Sequence, residues 1–119
     1  LFKKANNWLI QGLKDCGIDG VYSDGISDIV LNNRKIGGSC FFRAKSIAYY
    51  SASILVSSDT NRMSKYLSFP PRTPEYRMGR SHEEFTVSLN KHFLGLTAEE
   101  LQVSLSRVLD PQKLESIAK

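Results

Sequence analysis

Apolar positions follow two rhythms along this chain. Phe2, Ala5, Trp8, Leu9, Leu13 and Cys16 recur at spacings of three and four, the stripe of an amphipathic helix. The stripe predicts a helix over 1–16 that stops at Gly17, a residue free to take the left-handed conformation of a helix end. Between 20 and 57 the pattern is strand-like: Gly20–Ser23, Ile26–Leu31, Arg34–Arg43 and Ile47–Ser57. Asp24-Gly25, Asn32-Asn33 and Ala44-Lys45-Ser46 separate these segments. Asp-Gly and Asn-Asn suit the positive φ angles of tight hairpins, so the strands read as an antiparallel meander.

The period changes again after Ser58. Asp59 can cap a short helix over 59–68 with Met63, Tyr66 and Leu67 on its apolar side. Residues 69–81 hold Pro70, Pro71 and Pro74 with Arg72, Arg77 and Arg80, and read as an irregular loop. Ser81-x-x-Glu84 and Thr97-x-x-Glu100 are capping-box patterns, so 82–119 is expected to be helical. Phe85 and Leu89 point inward from the first helix, and Leu101, Leu105, Val108 and Leu109 from the second. Asp110-Pro111 opens a last short helix bearing Leu114 and Ile117. The class is α+β: an antiparallel β-meander with flanking helices.

With 119 residues the chain is at most one domain, and a 41% hydrophobic fraction is enough for a core. The net charge of +4 suits an anionic partner, but the cations are scattered and form no nucleic-acid-binding arm. Cys16 and Cys40 make no CxxC pair and lie far from His82 and His92, which argues against zinc and for reduced thiols. No apolar run approaches the roughly 18 residues of a membrane span, and no signal-peptide pattern is present. The expected setting is cytoplasmic, without membrane or nucleic acid. The chain opens in mid-rhythm and without methionine, which suggests the C-terminal part of a larger domain whose N-terminal half is missing.

One stretch carries candidate chemistry. A two-residue turn at Asn32-Asn33 would pair Leu31 with Arg34, Val30 with Lys35, Ile29 with Ile36 and Asp28 with Gly37. Directly opposed residues share a face. Lys35, Gly37 and Ser39 then join Asp28 on a polar face, while Ile36, Gly38 and Cys40 join Ile29 and Leu31 in the core. A one-residue slip would reverse those faces. Lys35 is either a solvated lysine with Asp28 as an incidental partner or a fixed charge for an anion. At about 4 Å and an effective dielectric near 20, such a charge contributes about 4 kcal/mol before desolvation. Adjacent glycines are unusual in a strand, and they would let a ligand lie against the backbone.

"SDIVLNNRKIGGSC" resembles the central motif of the lipoate–protein ligase A family and its biotinyl/lipoyl ligase relatives, approximately N-D-[LI]-x-V-x-x-x-[RK]-K-[IVF]-[SG]-G-S-A. "AYYSASILVSSDTNRMSKYL", "PPRTPEYRMGRSHEEFTVSL" and "LGLTAEELQVSL" resemble the segments that follow, so the likeness covers nearly the whole chain. It implies part of a mixed-sheet ligase domain that joins lipoate to ATP, with Mg2+, and passes the lipoyl group to a carrier-domain lysine. The acceptor would be of the 2-oxoacid dehydrogenase E2 or glycine cleavage H protein type. By this resemblance Lys35 contacts the acyl-adenylate and Asp28 lies near phosphates, magnesium or that lysine. Gly37, Gly38 and Ser39 would then floor the site, with Ser27 at its edge.

Some residues depart from the pattern. Ser27 stands where the motif has asparagine, and Cys40 where it has alanine. Tyr49-Tyr50-Ser51 takes the place of His-His-Gly. The glycine-rich segment that helps bind the acyl chain and nucleotide is absent, so the chain alone is expected to be inactive or very weak. Arg72, Arg77, Arg80 and His82 would engage phosphates or an acidic carrier, or else form a solvated basic loop. Tyr22, Phe42, Tyr49 and Tyr50 read as packing residues. The rival readings are an ATP-independent octanoyl or lipoyl transferase working through a cysteine thioester, and a non-catalytic binding module.

Overall fold

Helix α1 spans Phe2–Asp15 and turns Ala5, Asn6, Leu9, Ile10, Gly12 and Leu13 inward. It ends as the spacing predicts: Ile18 N–H donates to the Leu13 carbonyl (2.9 Å), and Gly17 takes a φ of 91°. This computed structural model describes residues 2–25, 27–57, 73–110 and 112. The expected helix over 59–68, Arg72 and the last helix after Pro111 lie outside the described residues.

Four strands follow as an antiparallel meander in sheet order β1-β2-β3-β4. They are β1 (Tyr22–Asp24), β2 (Asp28–Leu31), β3 (Arg34–Ala44) and β4 (Ile47–Ile54). β1 and β4 are shorter than their sequence patterns. Asn32 and Asn33 both have positive φ (51° and 62°), the two-residue turn whose twist matches the strands it joins. Lys45, at 54°, does the same for β3 and β4.

The register departs from the expectation after two pairs. Leu31 pairs with Arg34 and Val30 with Lys35, but Ile29 then pairs with Gly37 and Asp28 with Gly38. Ile36 is the extra residue of a β-bulge. Fully buried in the core, it gives its carbonyl to Leu55 N–H (2.7 Å) rather than to β2. A bulge shifts the alternation of every later residue by one.

Helix α2 (His82–Phe85) carries the complete capping box of Ser81 and Glu84, but it ends at Thr86. Residues 86–90 are therefore not the longer helix expected. Val87 N–H donates to Lys35 O (2.9 Å) and Leu89 N–H to Leu55 O (2.8 Å), so this segment serves as a neighbour to the base of β3 and the end of β4. Leu89 still points inward, from a 3-10 turn. Helix α3 (Ala98–Val108) starts on the Thr97 hydroxyl, which accepts from Glu100 N–H (3.1 Å).

The core lies on the sheet face toward α1 and α3. Leu9, Ile10 and Leu13 meet Ile29, Leu31 and Ile36, with Val56, Val87, Leu89 and Leu101 closing it. The opposite face, with Lys35 and Asp28, adjoins residues 74–86. Among the described residues no helix is long and apolar enough to cross a membrane.

Candidate active site

The bulge decides what stands beside Lys35. A Cβ on Gly38 would lie 3.7 Å from Lys35 Cε and 3.8 Å from its Nζ, so Gly38 is the open floor next to the ammonium. A Cβ on Gly37 would stand 2.2 Å from the Ser53 carbonyl oxygen. Gly37 is thus required by the close approach of β4, and Gly38 is the glycine that lines the groove beside Lys35.

The same shift exchanges Ser39 and Cys40. Ser39 turns toward α1, where its hydroxyl donates to Asn6 Oδ1 (2.7 Å) and its amide to Ser27 O (2.9 Å). Tyr50 OH also donates to Asn6 Oδ1. Cys40, expected in the core, is exposed, with its sulfur 2.9 Å from Ser51 Oγ. It lines a solvent-open groove of about 380 Å³ together with Ser27, Lys35, Gly38, Ser51, Ala52 and Ser53, and Ser39 stays in that lining although its hydroxyl bonds toward α1. Beyond it on that face Phe42 and Tyr49, 61% and 58% exposed, lie against each other with ring centroids 6.3 Å apart; Tyr22 is also exposed, and Tyr50 packs against Phe2.

Lys35 is held from behind. Its Nζ lies 3.0 Å from Asp28 Oδ1, and Tyr76 OH donates to the other oxygen, Oδ2, at 2.7 Å. Lys35 keeps 34% side-chain exposure while Asp28 keeps 12%, so the carboxylate is the inner anchor and the ammonium the outer, groove-lining end. An ammonium has three donors, and Asp28 takes one of them. Burial, then the hydrogen bond and charge of Asp28, push the Tyr76 phenol far above its ordinary range, so it stays a neutral donor.

Both Asp28 oxygens thus already accept from donors. Among the described residues no group of three or more His, Cys, Asp or Glu could hold a metal ion. Each Asp28 oxygen keeps a further lone pair, so Asp28 fits the indirect contact expected of it, through the waters of a magnesium ion that would ride on substrate phosphates.

In the basic loop two of the arginines bond to backbone carbonyls. Arg77 is 3% exposed and donates through Nε to Arg80 O (2.8 Å). Arg80 gives Nε to Arg77 O and Nη2 to Asn33 O and Tyr76 O, at 2.7–2.9 Å. Both guanidiniums lie over the Phe85 ring. Arg80 straps the loop to the β2–β3 turn, and Arg77 braces Arg80 from within the loop. His82 occupies the first position of α2, outside the groove lining.

Sequence reasoning missed Tyr76 and Asn6. Asn6 lies on the inward stripe of α1 but is polar, so an apolar pattern passes over it; Tyr76 has no period, and only the resemblance of "PPRTPEYRMGRSHEEF" to a family segment pointed toward its loop.

No curated protein matches this chain significantly. Among solved structures, P. falciparum LipL1 in complex with lipoate is similar with a TM-score of 0.70 and 22% identity, over 98% of this chain and 32% of that one. A lipoate-protein ligase A bound with ATP is similar with a TM-score of 0.71 and 20% identity, over 98% of this chain and 51% of that one. At these identities the likeness is one of fold, and the chain spans about a third to a half of each ligase's length. The model of the lipoyl protein ligase A/B catalytic domain matches residues 1–110, a span that includes the paired Lys35 and Asp28, and the chain belongs to that family.

Proposed function

We propose that this chain is the C-terminal portion of a lipoate–protein ligase catalytic domain, which activates lipoate with ATP and transfers it to a lysine of a lipoyl carrier domain. A lipoate carboxylate oxygen attacks the α-phosphorus of ATP, pyrophosphate leaves, and lipoyl-AMP forms. The carrier amine then attacks the acyl carbonyl and AMP leaves. Negative charge grows on phosphate oxygens in the first step and on the carbonyl oxygen in the second. Lys35 offers a fixed ammonium for both, Asp28 keeps it in place, and Gly38 leaves room for the adenylate.

The observation that carries this reading is the pairing of Lys35 with Asp28 beside a glycine-floored, solvent-open groove. The chain covers 32% and 51% of the two ligases it resembles, and on this reading the remainder of such a protein completes the acyl and nucleotide site, so the 119-residue chain alone is expected to be inactive or very weak. The test is a lipoylation assay with ATP, lipoate and an E2-type or H-protein-type acceptor. Turnover by this chain alone would refute the half-site reading, and failure of the protein as the cell makes it to release pyrophosphate would refute the ligase reading.

Cys40 favours one alternative. An exposed thiol in the groove of Lys35 could accept an acyl group from a carrier thioester, releasing the carrier thiol, and pass it to a lysine amine. That transferase needs no ATP and leaves an acyl group on Cys40, which intact-mass measurement detects.

A further inference from the structure

Tyr76 is the link between the Pro/Arg-rich loop and the groove. It sits in the 3-10 turn Glu75–Arg77, between extended Pro74 and left-handed Met78 (φ 54°). Its ring leans on Phe85 with centroids 5.1 Å apart, beneath the two stacked guanidiniums. Arg80 ties this unit to Asn33 O, the turn residue two positions before Lys35. The loop and the lysine are therefore referenced to the same hairpin.

The remaining connection runs through Asp28. A carboxylate is planar, so holding Oδ2 fixes where Oδ1 stands. Oδ1 is the atom 3.0 Å from Lys35 Nζ. A lysine side chain has four rotatable bonds and an ammonium indifferent to direction, so a rigid acceptor is needed to keep its charge at one point. Tyr76 does not line the groove, and it reaches the lysine only through the aspartate.

We propose that Tyr76 is a positioning residue: its hydroxyl on Asp28 Oδ2 orients the carboxylate that holds the Lys35 ammonium at the groove. The proposal rests on Lys35 being the charge that works on the reacting anion. It gives the loop at 73–81 a purpose that its arginines, committed to backbone carbonyls, do not have on their own.

The experiment compares Tyr76→Phe, which keeps the ring against Phe85, with Tyr76→Leu, which does not. The protein as the cell makes it is assayed for acyl-adenylate formation. The Lys35 ammonium, assigned with Lys35→Arg, is followed by ¹⁵N NMR. Tyr76→Phe is expected to lower kcat about tenfold with KM for ATP changed less than about twofold, the scale of one hydrogen bond to a charged group acting in the transition state. Its Lys35 ammonium signal broadens through faster exchange, and its melting temperature falls less than that of Tyr76→Leu. A Tyr76→Phe protein with unchanged kcat and an unchanged ammonium signal, beside a Tyr76→Leu protein that is merely less stable, would overturn the proposal. Adenylate formation that survives Lys35→Ala would instead overturn the proposed function. The ammonium signal alone would then decide for Tyr76, standing if Tyr76→Phe broadens it and falling if it does not.

Discussion

Gly37 and Ser53 back onto each other across β3 and β4 with no room for a side chain: a Cβ at residue 37 would stand 2.2 Å from the Ser53 carbonyl oxygen. The neighbouring glycine differs in kind. A Cβ on Gly38 meets the end of the Lys35 side chain and, at 4.0 Å, the Ser27 carbonyl oxygen, all at ordinary contact distance. Two adjacent glycines thus answer two separate demands, one for strand packing and one for open space at a charge.

Gly37→Ala and Gly38→Ala should therefore part company. The first must push β4 away and is expected to cost roughly 1–3 kcal/mol, the range of overpacked sites. The second should unfold at nearly the wild-type urea concentration yet bind an acyl-adenylate more weakly, because the methyl group enters the groove. Urea titration beside binding of a non-hydrolysable lipoyl-adenylate analogue checks both. Equal stability of the two variants would refute the bulged register.

Lys35→Ala is expected to lower adenylate formation by on the order of 10²–10³, the effect of removing one preorganised donor. Stability should change by less than about 1 kcal/mol, since the ammonium is a third exposed and Tyr76 still donates to Asp28. Asp28→Asn keeps an acceptor for Tyr76 but loses the charge that anchors the lysine, so its loss of rate should be smaller. Pyrophosphate release measured for the three proteins gives the ranking.

The thiols should react in a fixed order. Cys40 is exposed, whereas Cys16 is partly covered and its thiol pKa is raised by burial and by Asp15. Iodoacetamide at pH 8 should label Cys40 first, as peptide mass spectrometry would show. Labelling blocks the groove and should abolish adenylate formation. Cys40→Ala should leave it intact in a ligase and stop a cysteine-dependent transferase. Preferential labelling of Cys16 would return Cys40 to the core.

Alkali should weaken the fold through tyrosines. Burial comes first among the causes that raise the Tyr76 and Tyr50 phenols above 10.0, and Asp28 adds to the shift at Tyr76. Above pH 10 the unfolded chain releases these protons while the folded one keeps them, so stability present below that pH is lost as pH rises further. Unfolding midpoints measured from pH 8 to 11 should fall, and the fall should be shallower in Tyr76→Phe. An identical slope in that variant would count against a buried, hydrogen-bonded phenol.

Much was legible from residues alone. The stripe of α1, its stop at Gly17, the Asn32-Asn33 turn and the capping box at Ser81 are local features, decided by backbone preference and short-range hydrogen bonds. Lys35 and Asp28 fall on one face either way, because the bulge leaves both on the polar side and only changes which glycine joins them. Tertiary structure decided the rest. Alternation counts every residue equally, and a partner far along the chain, Leu55 for Ile36, removes one residue from the count and exchanges Ser39 with Cys40. A loop has no period from which a partner can be read. That Tyr76 meets Asp28, that Arg77 is buried and that Arg80 reaches Asn33 follow from how residues 73–81 are laid across a hairpin, with contacts spanning 47 and 48 positions. The sequence by itself determined the strands and the charged pair; the packing of distant segments determined which residues face the groove.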